Sequence, residues 1–442
     1  MSVVPASVAP AAPTVGGDRR PAGVQTRRDR LLSIDALRGL GALVVVLHHI
    51  PHNVPRAGFE DFRFFLLLPM DLGYLGVTLF LVVSGFCIHL SAARKLVQGQ
   101  LSSFSWAAFW RRRFYRLYPP YFAAVVYSLV LWWVARALTD PAPSPVYVKY
   151  LIADILIHVV LIQDLFLLGE GVNNAALWSL GLEEQLYLLY SGFLWMRRRW
   201  ALGLVLAAVL VTTLTWVAGV VGPRLIDHQR DAPEVLRWIT WPFMWWFSWV
   251  LGAVAAEAYT GAVRLPGWCY RWRVAVALAA LGVVLNAYTL APVLKGAYPS
   301  LESVPFFHPA RVGLKFGTIL SELVFTVAFF VLVNAGIRAE RPGRLGSAPI
   351  RSLAAVGLMS YSLYLTHIPL LGVLKVVVPL DRSLGAVALR CVLFIPACLL
   401  VGLVFFLFVE RRFLNTRAPA PAASAPACPV GHGVRLAQEM AR

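Results

Sequence analysis

Charge is scarce in this sequence. Asp, Glu, Lys and Arg make up 14% of its 442 residues, where a soluble domain carries about a quarter. That shortage argues strongly against a soluble globular enzyme. Cysteine is sparse and scattered: Cys87, Cys269, Cys391, Cys398 and Cys428 form no CxxC pair and no Cys/His ligand spacing. Neither a disulfide framework nor a zinc site is suggested, and no metal is expected. A GxSxG elbow, a P-loop, a GxGxxG behind a strand and an HExxH helix are all missing, which removes the usual hydrolase, nucleotide-binding and zinc-protease readings. No internal repeat relates the two halves.

Apolar residues, by contrast, reach 59%, above the 45–50% or so of soluble domains, and mean hydropathy is +0.69. A disordered chain is excluded. Spans of about 20 residues, ten in number, would take roughly half the chain, so the fold class expected is all-α: a polytopic transmembrane helical bundle. The 40 Lys+Arg exceed the 22 Asp+Glu by 18. In a soluble protein such an excess would suggest nucleic acid. Here it needs no such partner, because basic residues collect in the cytoplasmic loops of membrane proteins.

Hydrophobic segments fall near 32–50, 72–92, 118–138, 146–168, 176–196, 201–221, 238–257, 272–292, 312–335, 353–376 and 384–409. With the basic N-terminus in the cytoplasm, Arg111 to Arg113 and Arg116 land inside. Arg197 to Arg199 and every later arginine group do so only if 146–168 does not cross. That segment carries Asp154, His158 and Asp164, which a lipid-facing span would avoid. The expectation is therefore about ten spans plus one re-entrant or interfacial segment, with both termini cytoplasmic in the inner (plasma) membrane. Residues 1–30 read as a disordered basic tail, 31–412 as the transmembrane domain and 413–442 as a disordered Pro/Ala-rich tail. The first apolar run is long and has no small-residue cleavage site behind it, so it reads as a retained helix and not a cleaved signal. Trp132, Trp133, Trp241, Trp245, Trp246 and Trp249 suit an interfacial aromatic belt.

Ionisable residues inside spans are costly and so are functional candidates. In the first helix Arg38 and His49 lie eleven residues apart, three turns plus about 20°, so they share a face about 16 Å apart along the axis. His48 is turned roughly 80° off that face, and Asp35 sits one turn before Arg38, placed to pair with it. A functional polar stripe and a plain salt bridge with an interfacial histidine both remain open for this helix. In the fifth segment Glu183, entered from outside, falls in the outer half with His49, where a carboxylate can fix the tautomer of a histidine base. The bland alternative is that Glu183 and Glu184 cap a helix start. Arg112 and Arg116 are one turn apart and can face one way, and arginine forks suit phosphate oxygens; anionic lipid would satisfy them equally. His367 is unusual in a span; the bland alternative is that the neighbouring Ser, Thr and Tyr only bond helices together. Glu322 has no assigned partner.

Five blocks occur in order. They are Arg38 with His49; Leu79-Phe80-Leu81-Val82-Val83-Ser84-Gly85-Phe86; Arg112, Arg113, Arg116, Leu117, Pro119 and Tyr121; Trp178, Ser179, Leu180, Glu183 and Tyr187; and Ser360, Tyr361, Tyr364, Leu365, His367 and Pro369. Together they resemble the acyltransferase-3 family of integral membrane O-acyltransferases, over about residues 32 to 412. Two positions depart from it: Thr78 stands where an Asp is common, and the last span ends Glu410-Arg411-Arg412, a difference that looks peripheral. Some relatives carry a C-terminal hydrolase-like domain; this chain is expected to lack one.

The resemblance implies transfer of an acyl group, commonly acetyl, from cytoplasmic acyl-CoA to a hydroxyl. It implies no bound cofactor, with acetyl-CoA as co-substrate. His49 would be the general base, with Glu183 near it and Arg38 also in the catalytic set; Arg38, Arg112, Arg113 and Arg116 would hold CoA phosphates; Trp178, Ser360, Tyr361 and His367 would line the substrate. The acceptor implied first is a cell-surface or lipid-linked carbohydrate, then a macrolide or other small molecule. A lipid-linked glycan transporter is the competitor from another class. Expected partners are acyl-CoA, the hydroxyl acceptor and the bilayer, with a homo-oligomer allowed and nucleic acid not expected.

Overall fold

The computed structural model describes residues 31–50, 62–139, 145–163, 174–199, 203, 205, 207–215, 242–286, 313–340, 346–378 and 383–414. Among these residues the structure is helical throughout, without strands. The helices are α1 (Leu32–His49), α2 (Phe62–Asp71), α3 (Leu75–Val97), α4 (Trp106–Thr139), α5 (Pro145–Val159), α6 (Trp178–Arg199), α7 (Trp246–Thr260), α8 (Trp272–Leu285), α9 (Gly313–Ala339), α10 (Ala348–Leu358), α11 (Ser360–Val377) and α12 (Leu384–Phe405). A π-helical turn over Phe406–Glu410 and a last helical turn over Arg411–Leu414 follow α12.

Six of these segments are long and apolar enough to cross a membrane: α1, α3, α4, Ile319–Ala339 of α9, α11, and Leu384–Leu414. The 22 residues of α6 would reach about 33 Å, but Glu183, Glu184 and the Arg197–Arg199 triplet make it too polar to count by composition. At 15 residues, α5 reaches only about 22 Å, short of a hydrocarbon core of about 30 Å. Its Asp154 and His158 are buried and face each other at 3.3 Å, and the Tyr121 hydroxyl of α4 donates to the His158 carbonyl at 2.9 Å. Asp164 and much of 201–221 lie outside the described residues.

Glycines set two crossings that position everything else. A Cβ on Gly39 would lie 1.9 Å from the Leu353 carbonyl oxygen, and one on Gly357 would lie 1.8 Å from that of Asp35. Backbone contact of this kind is how apolar helices associate closely in a membrane, and it brings Arg38 of α1 to the junction of α10 and α11. That junction is a break at Met359, so the single segment expected over 353–376 is two helices. Gly85 and Gly252 do the same for α3 and α7, with Cβ positions 2.0 Å and 1.9 Å from the Trp249 and Val82 carbonyl oxygens.

That second crossing overturns part of the aromatic-belt expectation. With α7 pressed onto α3, Trp245, Trp246 and Trp249 turn inward and are buried. Trp249 meets Tyr190 and Phe193 of α6 edge-on, each at 5.4 Å between centroids. Trp133 does stay exposed, and Trp241 lies outside the described residues. Below this aromatic cluster His89, Glu257 and Arg197 tie α3, α7 and α6 together: Arg197 forks onto Glu257 at 2.6–3.0 Å, which in turn meets His89 at 3.0 Å. Removing one member of a buried ion cluster strands the rest, at a cost of about 3–5 kcal/mol.

Candidate active site

A cavity lies among α1, α3, α4, α6 and α11, and encloses about 860 Å³, part of it open solvent. Along α3 its wall is Val77, Phe80, Leu81, Val83, Ser84, Cys87 and Ile88, all but Val83 on the i, i+3, i+4 stripe of one helix face, about 16 Å long. Arg38, Arg113, Arg116, Glu183, Ser360 and Tyr361, six of the residues singled out in the sequence, line the same space. The three guanidiniums, together with the Asp35 carboxylate, are the electrostatic neighbours of Cys87, so positive charge is in excess at that level of the cavity.

The arginine face differs from the one expected. Arg113 and Arg116 line the cavity, whereas Arg112 is exposed and does not. Phe109, buried in the core, fixes the rotation of α4, and Arg113 one turn later shares its side. The Arg113 guanidinium lies 5.6 Å from the ring centroids of both Phe109 and Tyr187, a cation–π placement on either side.

Glu183 is also not where the sequence put it. Its carboxylate accepts from the Ser84 hydroxyl at 2.6 Å and from the Tyr187 phenol, and is an electrostatic neighbour of Arg113. It belongs to the arginine cavity, not to the level of His49. Helix direction explains this. Gly73 packs on His48, and Ser84 comes eleven residues later, about 16 Å further along the bundle. Glu183 lies beyond the first turn of α6 and does not cap it.

His49 pairs with another histidine. His49 Nδ1 lies 2.8 Å from the Val45 carbonyl oxygen and 3.4 Å from His367 Nε2, and the two rings meet edge-on at 5.0 Å. His367 Nδ1 lies 2.8 Å from the Tyr364 carbonyl oxygen. A carbonyl only accepts, so in the neutral rings both Nδ1 atoms carry the proton. His49 Nε2 is then the unprotonated nitrogen, the state a base requires. Neither histidine lines the cavity. Tyr364 stands between: its ring lines the cavity, lies edge-on to Phe80 at 5.8 Å and lies 5.7 Å from the His367 ring. Trp178 packs on Trp245 at 6.1 Å, outside the cavity.

Further residues complete the frame. Glu410 is buried and accepts from the Ser362 backbone N–H at 3.1 Å and from its hydroxyl at 2.5 Å, so the end of the last span anchors the start of α11. Asn174 donates to Ser128 at 3.0 Å and to the Leu365 carbonyl at 2.9 Å, fixing the approach to α6. Thr78 donates to Glu322 at 3.0 Å, which joins the departure at Thr78 to the acid that had no partner. Ser84, Cys87, Ser179, Tyr187 and Tyr364 were not singled out as site residues. The stripe at i, i+3, i+4 on α3 was the signal for the first two, and Tyr187 is one turn from Glu183.

A family model described as Acyltransferase domain, the acyltransferase-3 family, matches residues 31–409. The chain belongs to that family. It is 24% identical over 395 residues to the peptidoglycan O-acetyltransferase OatA of Listeria monocytogenes, covering 86% of this chain and 55% of that protein. It is 28% identical over 352 residues to the acyltransferase MdmB of Streptomyces mycarofaciens, covering 76% of this chain and 78% of that protein. The chain thus spans about half the length of OatA. No solved structure gives a significant match.

Proposed function

We propose that this protein is a membrane-bound O-acyltransferase that moves an acetyl group from acyl-CoA to a hydroxyl of a cell-surface or lipid-linked carbohydrate. The observation that carries the reading is the gathering of Arg38, Arg113 and Arg116, from two helices, on one cavity. Guanidiniums bind phosphate oxygens as planar forks, and CoA presents phosphates at one end of a long flexible arm. With the phosphates among the arginines, the arm runs along the α3 stripe, and the thioester arrives at Phe80 and Tyr364, next to the histidine pair.

There His49 Nε2 takes the proton of the acceptor hydroxyl, the oxygen attacks the acyl carbonyl, and CoA leaves as the thiol. Glu183 serves the donor end by balancing Arg113. The name of the Listeria relative, a peptidoglycan O-acetyltransferase, supports a carbohydrate acceptor. About ten spans with both termini in the cytoplasm would put the arginines on the acyl-CoA side and His49 nearer the outer face of the plasma membrane.

The test is transfer from labelled acetyl-CoA by membranes holding wild type or His49→Ala, offered cell-envelope glycan and a macrolide. Label on glycan with wild type alone supports the reading. Label on the macrolide keeps the chemistry and changes the acceptor; no consumption of acetyl-CoA overturns the reading and favours a transporter.

A further inference from the structure

We propose that Tyr364 is a catalytic hydrogen-bond donor to the acyl carbonyl, oriented by Ser179. The inference rests on the reading of the cavity as the acyl-CoA site. Tyr364 and Ser179 are both nearly buried and both line the cavity, at the end where α3 contributes Val77 and Phe80. The two hydroxyl oxygens lie 2.6 Å apart, while Ser179 reaches the Ala176 carbonyl only at 3.3 Å. Either hydroxyl can donate across the shorter contact; with an acyl carbonyl in the cavity, the Ser179 proton turns from the long Ala176 contact to the phenol oxygen. In that arrangement the phenol proton points into the cavity, since Ser179 is the only hydrogen-bond partner of this phenol among the described residues. The Tyr364 carbonyl meanwhile accepts from His367, the residue against which His49 rests. One residue therefore presents its side chain to the donor end and its backbone to the base.

The step balances without an added reagent. The acceptor O–H proton goes to His49 Nε2, and the acceptor oxygen bonds to the acyl carbon. The carbonyl π pair moves onto oxygen, where the Tyr364 O–H stabilises it. Its return re-forms C=O and breaks the C–S bond, and the CoA thiolate takes the proton from the imidazolium. A donor aimed at the position where negative charge develops acts chiefly on turnover, with losses of about 10²–10³-fold on its removal.

Two measurements on the full-length protein in detergent or membranes test this. In turnover, Tyr364→Phe is expected to lower kcat about 10²-fold with KM for acetyl-CoA raised no more than about fivefold, and Ser179→Ala to lower kcat about tenfold, because the phenol is kept but no longer oriented. In binding, wild type is expected to prefer acetyl-CoA over its thioether analogue S-ethyl-CoA, which lacks the carbonyl, by about fivefold, and Tyr364→Phe to bind the two alike. Tyr364→Phe with kcat within about threefold of wild type, or with the carbonyl preference intact, overturns the inference while leaving the functional reading standing. Wild type that binds neither CoA compound overturns both.

Discussion

The cavity gathers three guanidiniums and one carboxylate around space partly open to solvent, whereas the histidine pair behind Tyr364 is held by two backbone carbonyls, with His367 fully buried. Charges near solvent are tuned by the ligands that come and go. A neutral ring fixed by carbonyls keeps one tautomer whatever binds. The first region is built to recognise an anion, the second to present one lone pair. The sequence placed Glu183 in the second region; the structure places it in the first, and the division of labour becomes a matter for experiment.

The largest effect expected is at His49. His49→Ala should lower transfer about 10²–10⁴-fold, the range of a positioned general base, and leave the Kd for acetyl-CoA unchanged when measured on the purified variant. Loss of binding along with turnover would merge the two regions into one. Arg113→Ala should act the opposite way, raising KM for acetyl-CoA about tenfold or more, the loss of a charged hydrogen bond, with kcat little altered. Arg112→Ala is the internal control, because that side chain is exposed; it should leave KM within about twofold. An Arg112 effect equal to that of Arg113 would mean that CoA is held on the surface of α4 and not in the cavity.

Glu183→Gln tests the reassignment directly. It keeps the shape but removes the anion that receives Ser84 and Tyr187. The expected result is a severalfold rise in KM for acetyl-CoA and an unchanged pH profile of kcat. A shift in that profile would return Glu183 to partnership with His49.

Much of this was legible before the fold. The motif blocks named Arg38, Arg113, Arg116, Glu183, Ser360 and Tyr361, and all line one cavity, because short-range helical spacing carries such information faithfully. Depth and rotation were harder to read. Whether Arg112 or Arg113 faces inward depends on Phe109 being buried, and whether Glu183 meets His49 or Ser84 depends on how α6 slides along α3. Neither is a local property. Trp249 was misplaced for the same reason: a tryptophan near a span end suits a belt until a Gly–Gly crossing draws its helix into the core. The anchoring role of Glu410 went unread because its partner, Ser362, is 48 residues away in sequence.

The smallest effect concerns a site in neither region. Thr78 faces Glu322 on α9, away from the cavity-lining stripe at Val77, Phe80 and Leu81. Thr78→Val keeps the volume and removes the hydroxyl, so a buried carboxyl loses its donor at a cost of about 1–3 kcal/mol. That should appear as a fall of a few degrees in Tm, read in detergent by intrinsic fluorescence, with kcat and both KM values near wild type. Thr78→Asp should cost more, since two buried carboxyls would then share one site and one of them must stay protonated. If Thr78→Val instead changes which acceptor is used while Tm holds, the division into an anion-binding cavity and a histidine pair is incomplete, and the α3–α9 contact is a third element of the site that reads the acceptor.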